Sequence, residues 1–184
     1  MALLHSTMVP LGSVARDFLL PGVDGKNYSL DSFSDKRVLV VIFMCNHCPY
    51  VKAVISRLND LQNQLGERGA QLVGINSNDA ERYPDDSFDS MKKTAREKNI
   101  AFPYLFDADQ EIAKAYDAVC TPDIYLYGEA RTLLYRGRID DNWEQSEKVT
   151  QRDLYSAMEA GLQGKEISGE QVASMGCSIK WKQN

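Results

Sequence analysis

The longest unbroken apolar run in the chain is Val38-Leu39-Val40-Val41-Ile42-Phe43-Met44, rich in β-branched residues and too short for a helix. Such a run is buried on both faces and predicts a central strand over Val38–Phe43. From Tyr50 the period changes. Val51, Val54, Ile55, Leu58, Leu61 and Leu65 recur at helical spacing and form one apolar stripe, which Gly66 and Gly69 end. Gln71–Ile75 reads as the next strand, with Asn76-Ser77-Asn78-Asp79 as the loop beyond it. A strand, a helix and a strand in that order make a βαβ unit with parallel pairing and a right-handed crossover.

Elsewhere the pattern is weaker. The stretch Arg16–Leu30 carries Pro21-Gly22 and Asp24-Gly25, two turn signals, and reads as a small hairpin or irregular lead-in. A polar helix is expected near Ser87–Lys98, an apolar piece at Phe102–Phe106 and a short helix near Gln110–Tyr116. After Thr121-Pro122, strands over Ile124–Tyr127 and Thr132–Ile139 flank Gly128-Glu129-Ala130-Arg131 as a hairpin, and a last helix covers Arg152–Leu162. Beyond Gly164 no period is visible. Residues 165–184 are therefore set apart as a tail, partly mobile or packed on a domain of residues 1–164. No repeat, low-complexity stretch or long linker marks a second large unit.

Length and charge narrow the functional classes. A chain of 184 residues suits one domain with a full core, and 43% hydrophobic with 26% charged residues is ordinary for a globular protein. The net charge of −5 and the lack of a basic run argue against nucleic acid as the main partner. No apolar stretch approaches the length of a membrane span. The opening Met-Ala-Leu-Leu-His-Ser-Thr has no basic region leading into a secretory apolar core, so a cytoplasmic protein is expected. In a reducing compartment, four cysteines at 45, 48, 120 and 177 turn the question toward redox catalysis or metal binding.

Cys45-Asn46-His47-Cys48 lies between the buried strand and the amphipathic helix. A helix start presents unpaired N–H groups and the positive end of the dipole, and both favour a thiolate. Asn46 is a good N-cap residue, and Pro49 falls in the first turn, where its missing N–H costs nothing. On this reading the Cys45 sulfur faces solvent as the low-pKa nucleophile, and Cys48, shielded in the first turn, resolves the mixed disulfide. A protonated His47 adds charge that favours the thiolate. No acid is in evidence to take a proton from Cys48, which leaves His47 as the nearest candidate. The competing readings are two inert core cysteines or a zinc half-site, for which Cys120, Cys177, His5 and His47 supply no second paired spacing. A metal-binding role would use Cys45, Cys48 and His47 as soft ligands.

The lead-in LGSVARDFLLPGVDGKNYSL, the strand VLVVIF, the C-x-x-C and Thr121-Pro122 together resemble the redoxin branch of the thioredoxin superfamily. That branch holds the peroxiredoxins of the alkyl hydroperoxide reductase/thiol-specific antioxidant (AhpC/TSA) type and the tethered thiol reductases of cytochrome maturation. The likeness runs from Leu11 to about Leu162 and is nearest to a peroxiredoxin-like group with C-x-x-C-P. It implies a thioredoxin-like α/β fold, a central mixed sheet flanked by helices, with an N-terminal extension and an insertion between the second and third main strands. It implies a cis Pro122 that faces the C-x-x-C and, with Thr121, offers backbone to substrate. It also implies a thiol-dependent oxidoreductase, antioxidant in role and without cofactor or metal. Its partners would be a protein or small-molecule disulfide, or a hydroperoxide, and an upstream thiol reductant, with neither nucleic acid nor membrane.

Two departures bear on the chemistry. In the peroxiredoxin pattern P-x-x-x-[TS]-x-x-C, Cys48 would take the peroxidatic place, yet Val41 and Cys45 stand where the Pro and the hydroxyl belong. Disulfide exchange through Cys45 is therefore expected, with peroxide reduction through a Cys48 sulfenic acid as the alternative. Where thioredoxin keeps a buried Asp under the disulfide, this chain has Leu39. Cys120, directly ahead of Thr121-Pro122, is expected either to fill space or to bridge Cys45 as a secondary redox thiol. Cys177 is a second candidate of that kind. Arg136 and Arg138 read as a solvated strand edge or as cations near the site.

Overall fold

The computed structural model describes residues 3–183. Its centre is a five-stranded mixed sheet built around β4 (Val38–Phe43), every residue of which is buried. On one side β4 pairs in parallel with β5 (Ala70–Asn76), which pairs in parallel with β6 (Tyr104–Phe106). On the other side it pairs antiparallel with β8 (Asp123–Tyr127), which forms a hairpin with β9 (Leu133–Arg136). The order is β6-β5-β4-β8-β9. This is the expected thioredoxin-like architecture, with residues 77–122 as the insertion between β5 and β8.

Strand alternation divides the core in two. Val38, Val40 and Ile42 pack with α1 (Pro49–Leu65) and α4 (Asp153–Leu162) through Val54, Leu58, Leu154 and Met158. Leu39, Val41 and Phe43 face the other way, against Phe18, Phe33, Tyr116 and Ile179. The N-terminal hairpin is β2 (Leu19–Pro21) with β3 (Asn27–Ser29). The insertion carries α2 (Phe88–Glu97) and α3 (Glu111–Ala115). Leu58, on the stripe of α1, is wholly buried. Truncation to Ala at such a site costs about 2–5 kcal/mol.

Three short strands escape the hydrophobic pattern. β1 (Leu3–His5), β10 (Met175–Ser178) and β7 (Cys120–Thr121) form a separate antiparallel sheet in the order β1-β10-β7. The tail without a period thus contributes a strand, whose register sets Cys177 opposite Thr121 and Ser178 opposite Cys120. Its fit is close. A Cβ on Gly176 would lie 1.9 Å from the carbonyl oxygen of Thr121.

The second half of the β8–β9 hairpin is shorter than its apolar pattern, ending at Arg136. Arg136 is no solvated edge: it is fully buried, paired with the equally buried Asp123, donates to Ile124 O at 3.1 Å and lies 3.7 Å over the Tyr125 ring. Arg138 pairs with Asp153 at 2.7 Å. No helix among the described residues is long and apolar enough to cross a membrane.

Candidate active site

Strand β4 delivers Cys45 and Cys48 to the start of α1, as its period requires. The cap differs from expectation. Cys48 itself is the N-cap, in extended backbone (φ −66°, ψ 123°), and Pro49 is the first helical residue. Asn46 is taken out of the capping role by its partners. Its N–H donates to Asp86 Oδ1 (2.7 Å), its side-chain amide donates to Asp85 O (2.8 Å), and its Oδ1 accepts from Tyr104 Oη (3.1 Å). His47 Nδ1 lies 2.5 Å from Asp86 Oδ2, and its ring stacks on Tyr83 at 5.7 Å. The loop of the motif is therefore pinned to the turn ahead of α2.

Asp86 is the group that sequence reasoning missed. It is fully buried and also accepts from Asn78 Nδ2 at 2.7 Å. Burial alone would raise its pKa, but the hydrogen bonds from His47, Asn78 and the Asn46 N–H outweigh burial and hold the carboxyl below its ordinary value. In sequence the only hint was Pro84-Asp85-Asp86-Ser87, which reads as a solvated turn before a helix. Any charge on His47 is countered at once by this carboxylate.

The sulfurs are also placed differently from the expectation. Cys45 does not face open solvent; it is 1% exposed, with Sγ 3.6 Å from Thr121 Oγ1. Cys48 is fully buried, and its Sγ lies 3.1 Å from Thr121 O, toward which its thiol can donate. All four cysteines are thiols, without a disulfide among the described residues. Cys45 and Cys48 share a hydrogen bond and hence a proton. That bond, with Thr121 and the N–H groups of Val51 and Cys177, pulls Cys48 down to about 4 against the opposing effect of burial. Cys45 goes up, first because it donates to Cys48, then through burial and the nearby Asp86 charge. The first charge of the pair thus rests on Cys48 at the helix N-terminus, and not on Cys45 as expected.

Access discriminates in the other direction. A cavity of about 470 Å³ is lined by Cys45, Asn46, His47, Lys52, Asp85 and Lys93, whereas Cys48 is not part of its wall. A second cavity of about 180 Å³ opens beside Pro122, between Tyr50, Trp143 and Met175. The Thr121–Pro122 peptide is cis. Thr121 reaches both sulfurs, with its hydroxyl toward Cys45 and its carbonyl toward Cys48, and strand β10 pairs along the edge that the resemblance assigned to substrate. Cys120 is buried, contacts Pro122 O at 3.7 Å and precedes Thr121 on a strand, so the pleat sends the two side chains to opposite faces. Thr121 takes the face of Cys45; Cys120 takes the other. Burial pushes the Cys120 thiol well up, as for a space-filling cysteine.

Cys45 Sγ, a His47 nitrogen and an Asp86 oxygen lie within 4.8 Å of one another, a set able to approach one metal ion. In this structure that geometry is occupied by the His47–Asp86 hydrogen bond.

The sequence of residues 11–137 matches the model of the AhpC/TSA family. The chain belongs to the AhpC/TSA family. Among solved structures, an uncharacterized conserved protein from Geobacillus kaustophilus is 44% identical, with TM-score 0.95 over 100% of this chain and 98% of that one. Curated relatives of this AhpC/TSA chain are more distant. The thiol-disulfide oxidoreductase ResA of Geobacillus kaustophilus is 23% identical over 133 residues, 71% of this chain and 72% of the relative. A chloroplastic peroxiredoxin Q of Triticum aestivum is 27% identical over 108 residues, 59% of this chain and 46% of the relative.

Proposed function

We propose that this AhpC/TSA chain is a thiol–disulfide oxidoreductase in which Cys45 meets the substrate and Cys48 resolves the mixed disulfide. The observation that carries the reading is the split between charge and access. Cys48 holds the shared negative charge at the helix N-cap, while Cys45 alone of the two lines the cavity.

The shared proton links the two roles. As a disulfide approaches Cys45, the Cys45 proton passes to Cys48, and the Cys45 thiolate attacks one substrate sulfur. A Cys45–substrate disulfide forms and the other substrate sulfur leaves as a thiolate, which takes a proton. Cys48, now a thiol directed at Thr121 O, gives up its proton and attacks the Cys45 sulfur. The second substrate thiolate departs, and the Cys45–Cys48 disulfide holds the two-electron oxidation until an upstream thiol reduces it. Substrates are protein or small-molecule disulfides, and the cytosol is the setting in which such a dithiol stays reduced.

A peroxidase reading draws on the charge at Cys48, the place of the peroxidatic thiolate in the family. Against it, Val41 is packed in the core and the hydroxyl position is the Cys45 thiol. Stopped-flow rates of the reduced protein with a small aromatic disulfide and with hydrogen peroxide decide between the two. Exchange with the disulfide is expected to be at least ~10-fold faster, to vanish in Cys45→Ser, and to stall as a mixed disulfide on Cys45 in Cys48→Ser. Faster reaction with peroxide, or trapping on Cys48, would overturn the proposal.

A further inference from the structure

Three of the four cysteines, Cys45, Cys48 and Cys177, belong to one buried apolar cluster. How Cys177 comes there follows from strand register. β10 lies antiparallel to β7 with Cys177 directly opposite Thr121. Residues paired across an antiparallel ladder project to the same face. Thr121 projects to the face of the redox pair, its Oγ1 at 3.6 Å from Cys45 Sγ. Cys177 therefore projects to that face too, while Cys120, paired with Ser178, projects to the other. The N–H of Cys177 is also directed at the Cys48 sulfur, and the two thiols are hydrogen-bonded. The tail is held at this depth: Ile179 N–H donates to Val119 O at 3.0 Å, Ser6 N–H donates to Ser174 O at 2.9 Å, and Gly176 admits the Thr121 carbonyl where any side chain would collide.

We propose that Cys177 is a third redox-active thiol of this centre, exchanging with Cys48 so that the disulfide moves from Cys45–Cys48 to Cys48–Cys177. The inference rests on the reading of Cys45 and Cys48 as the redox couple. In the step, Cys177 loses its proton and its sulfur attacks Cys48 Sγ. The Cys48–Cys177 bond forms, the Cys45–Cys48 bond breaks, and Cys45 leaves as a thiolate that accepts the proton Cys177 gave up. No electrons are gained or lost overall. The oxidation is carried from the sulfur that lines the cavity to a pair enclosed beneath β10. Cys45 is thereby returned to its reduced state and can form a second mixed disulfide, which an external thiol must resolve because Cys48 is held by Cys177. Burial and the neighbouring Cys48 push the Cys177 thiol up to about 11, so in the reduced protein it is the donor to Cys48. The same exchange ties the tail covalently to the start of α1.

Peptide mapping of the full-length chain tests this. Wild-type and Cys45→Ser proteins are oxidised with diamide, alkylated at acid pH and digested without reduction, and the disulfides are identified by mass spectrometry. Circular dichroism confirms that the variant is folded. In Cys45→Ser the expected product is an intramolecular Cys48–Cys177 bridge in most molecules, and in the wild type both Cys45–Cys48 and Cys48–Cys177 are expected. Recovery of Cys177 as the alkylated thiol in wild type, with Cys45–Cys48 formed, overturns the inference and leaves the proposed function standing. A wild-type chain that forms neither bridge overturns both. If Cys45→Ser does not fold, the wild-type map decides alone. Capture of Cys48 by Cys120 instead of Cys177 also overturns the assignment.

Discussion

Asp86 meets Nδ1 of His47 at 2.5 Å from a position of complete burial, on a turn 39 residues away in sequence. The contact ties the residue before Cys48 to a buried carboxylate. It also places a carboxylate beside Cys45, where its charge opposes ionisation of the thiol. In Asp86→Asn that opposition is gone, and the alkylation midpoint of the Cys45–Cys48 pair is expected to move to lower pH. Because Asp86 also anchors Asn46 and Asn78, the variant should lose about 1–3 kcal/mol of stability. An unchanged or raised midpoint, measured by iodoacetamide rate against pH, would remove Asp86 from the electrostatics of the site.

Stability of the reduced protein should depend on pH through Cys48. Its folded pKa, about 4, lies below the ordinary thiol value of about 8.5, so the folded state favours the thiolate. The resulting stabilisation is full above about pH 8.5 and is lost as pH falls toward 4. Cys45 acts in the opposite sense in the alkaline range, since its raised pKa favours the protonated folded form and costs stability above the ordinary thiol value. Urea midpoints of reduced wild type are expected to rise more steeply from pH 5 to 8 than those of Cys48→Ser. Parallel curves for the two proteins would place the charge elsewhere.

Gly176→Ala should act through the tail. The new Cβ would meet the Thr121 carbonyl at 1.9 Å, a backbone atom with no freedom to swing away. β10 must then shift from β7, at an expected cost of about 1–3 kcal/mol. Alkylation of Cys177 in the native protein should accelerate at least ~10-fold. Equal rates in variant and wild type would show that β10 does not guard this thiol.

The Asp123–Arg136 pair, buried on both sides, should show strong coupling. Removing the cation in Arg136→Met leaves an unpaired carboxylate in the core, for an expected loss of about 3–5 kcal/mol. The double variant Asp123→Asn/Arg136→Met should lose clearly less than the sum of the single losses, as contacting residues do in a double-mutant cycle. Additive losses in urea unfolding would mean that the two side chains stabilise the core independently.

The sequence by itself determined β4, α1 and their junction at Cys45–Cys48. Period and residue type along a single segment dictate those features, because each local choice already specifies which face is buried. The family likeness came from the motifs in the lead-in, the strand, the C-x-x-C and Thr121-Pro122, and the place of Pro122 opposite the C-x-x-C was what that likeness implied. Only the tertiary structure decided what surrounds the sulfurs. β1, β7 and β10 are strands of two to four residues, and what makes them strands is one another, across pairings such as Leu3 with Cys177. Asp86 is a turn residue until its turn folds onto Asn46 and His47. Sequence left Cys120 either as a space-filling side chain or as a secondary redox thiol, with Cys177 as a second candidate; the pleat turned Cys120 away and register brought Cys177 in. The hydrogen bond between the two thiols, with the donors around Cys48, then reversed the assignment of charge between Cys45 and Cys48. Local periodicity is a property of one segment, whereas a pKa, a buried partner and a strand pairing depend on segments remote in sequence coming together in space.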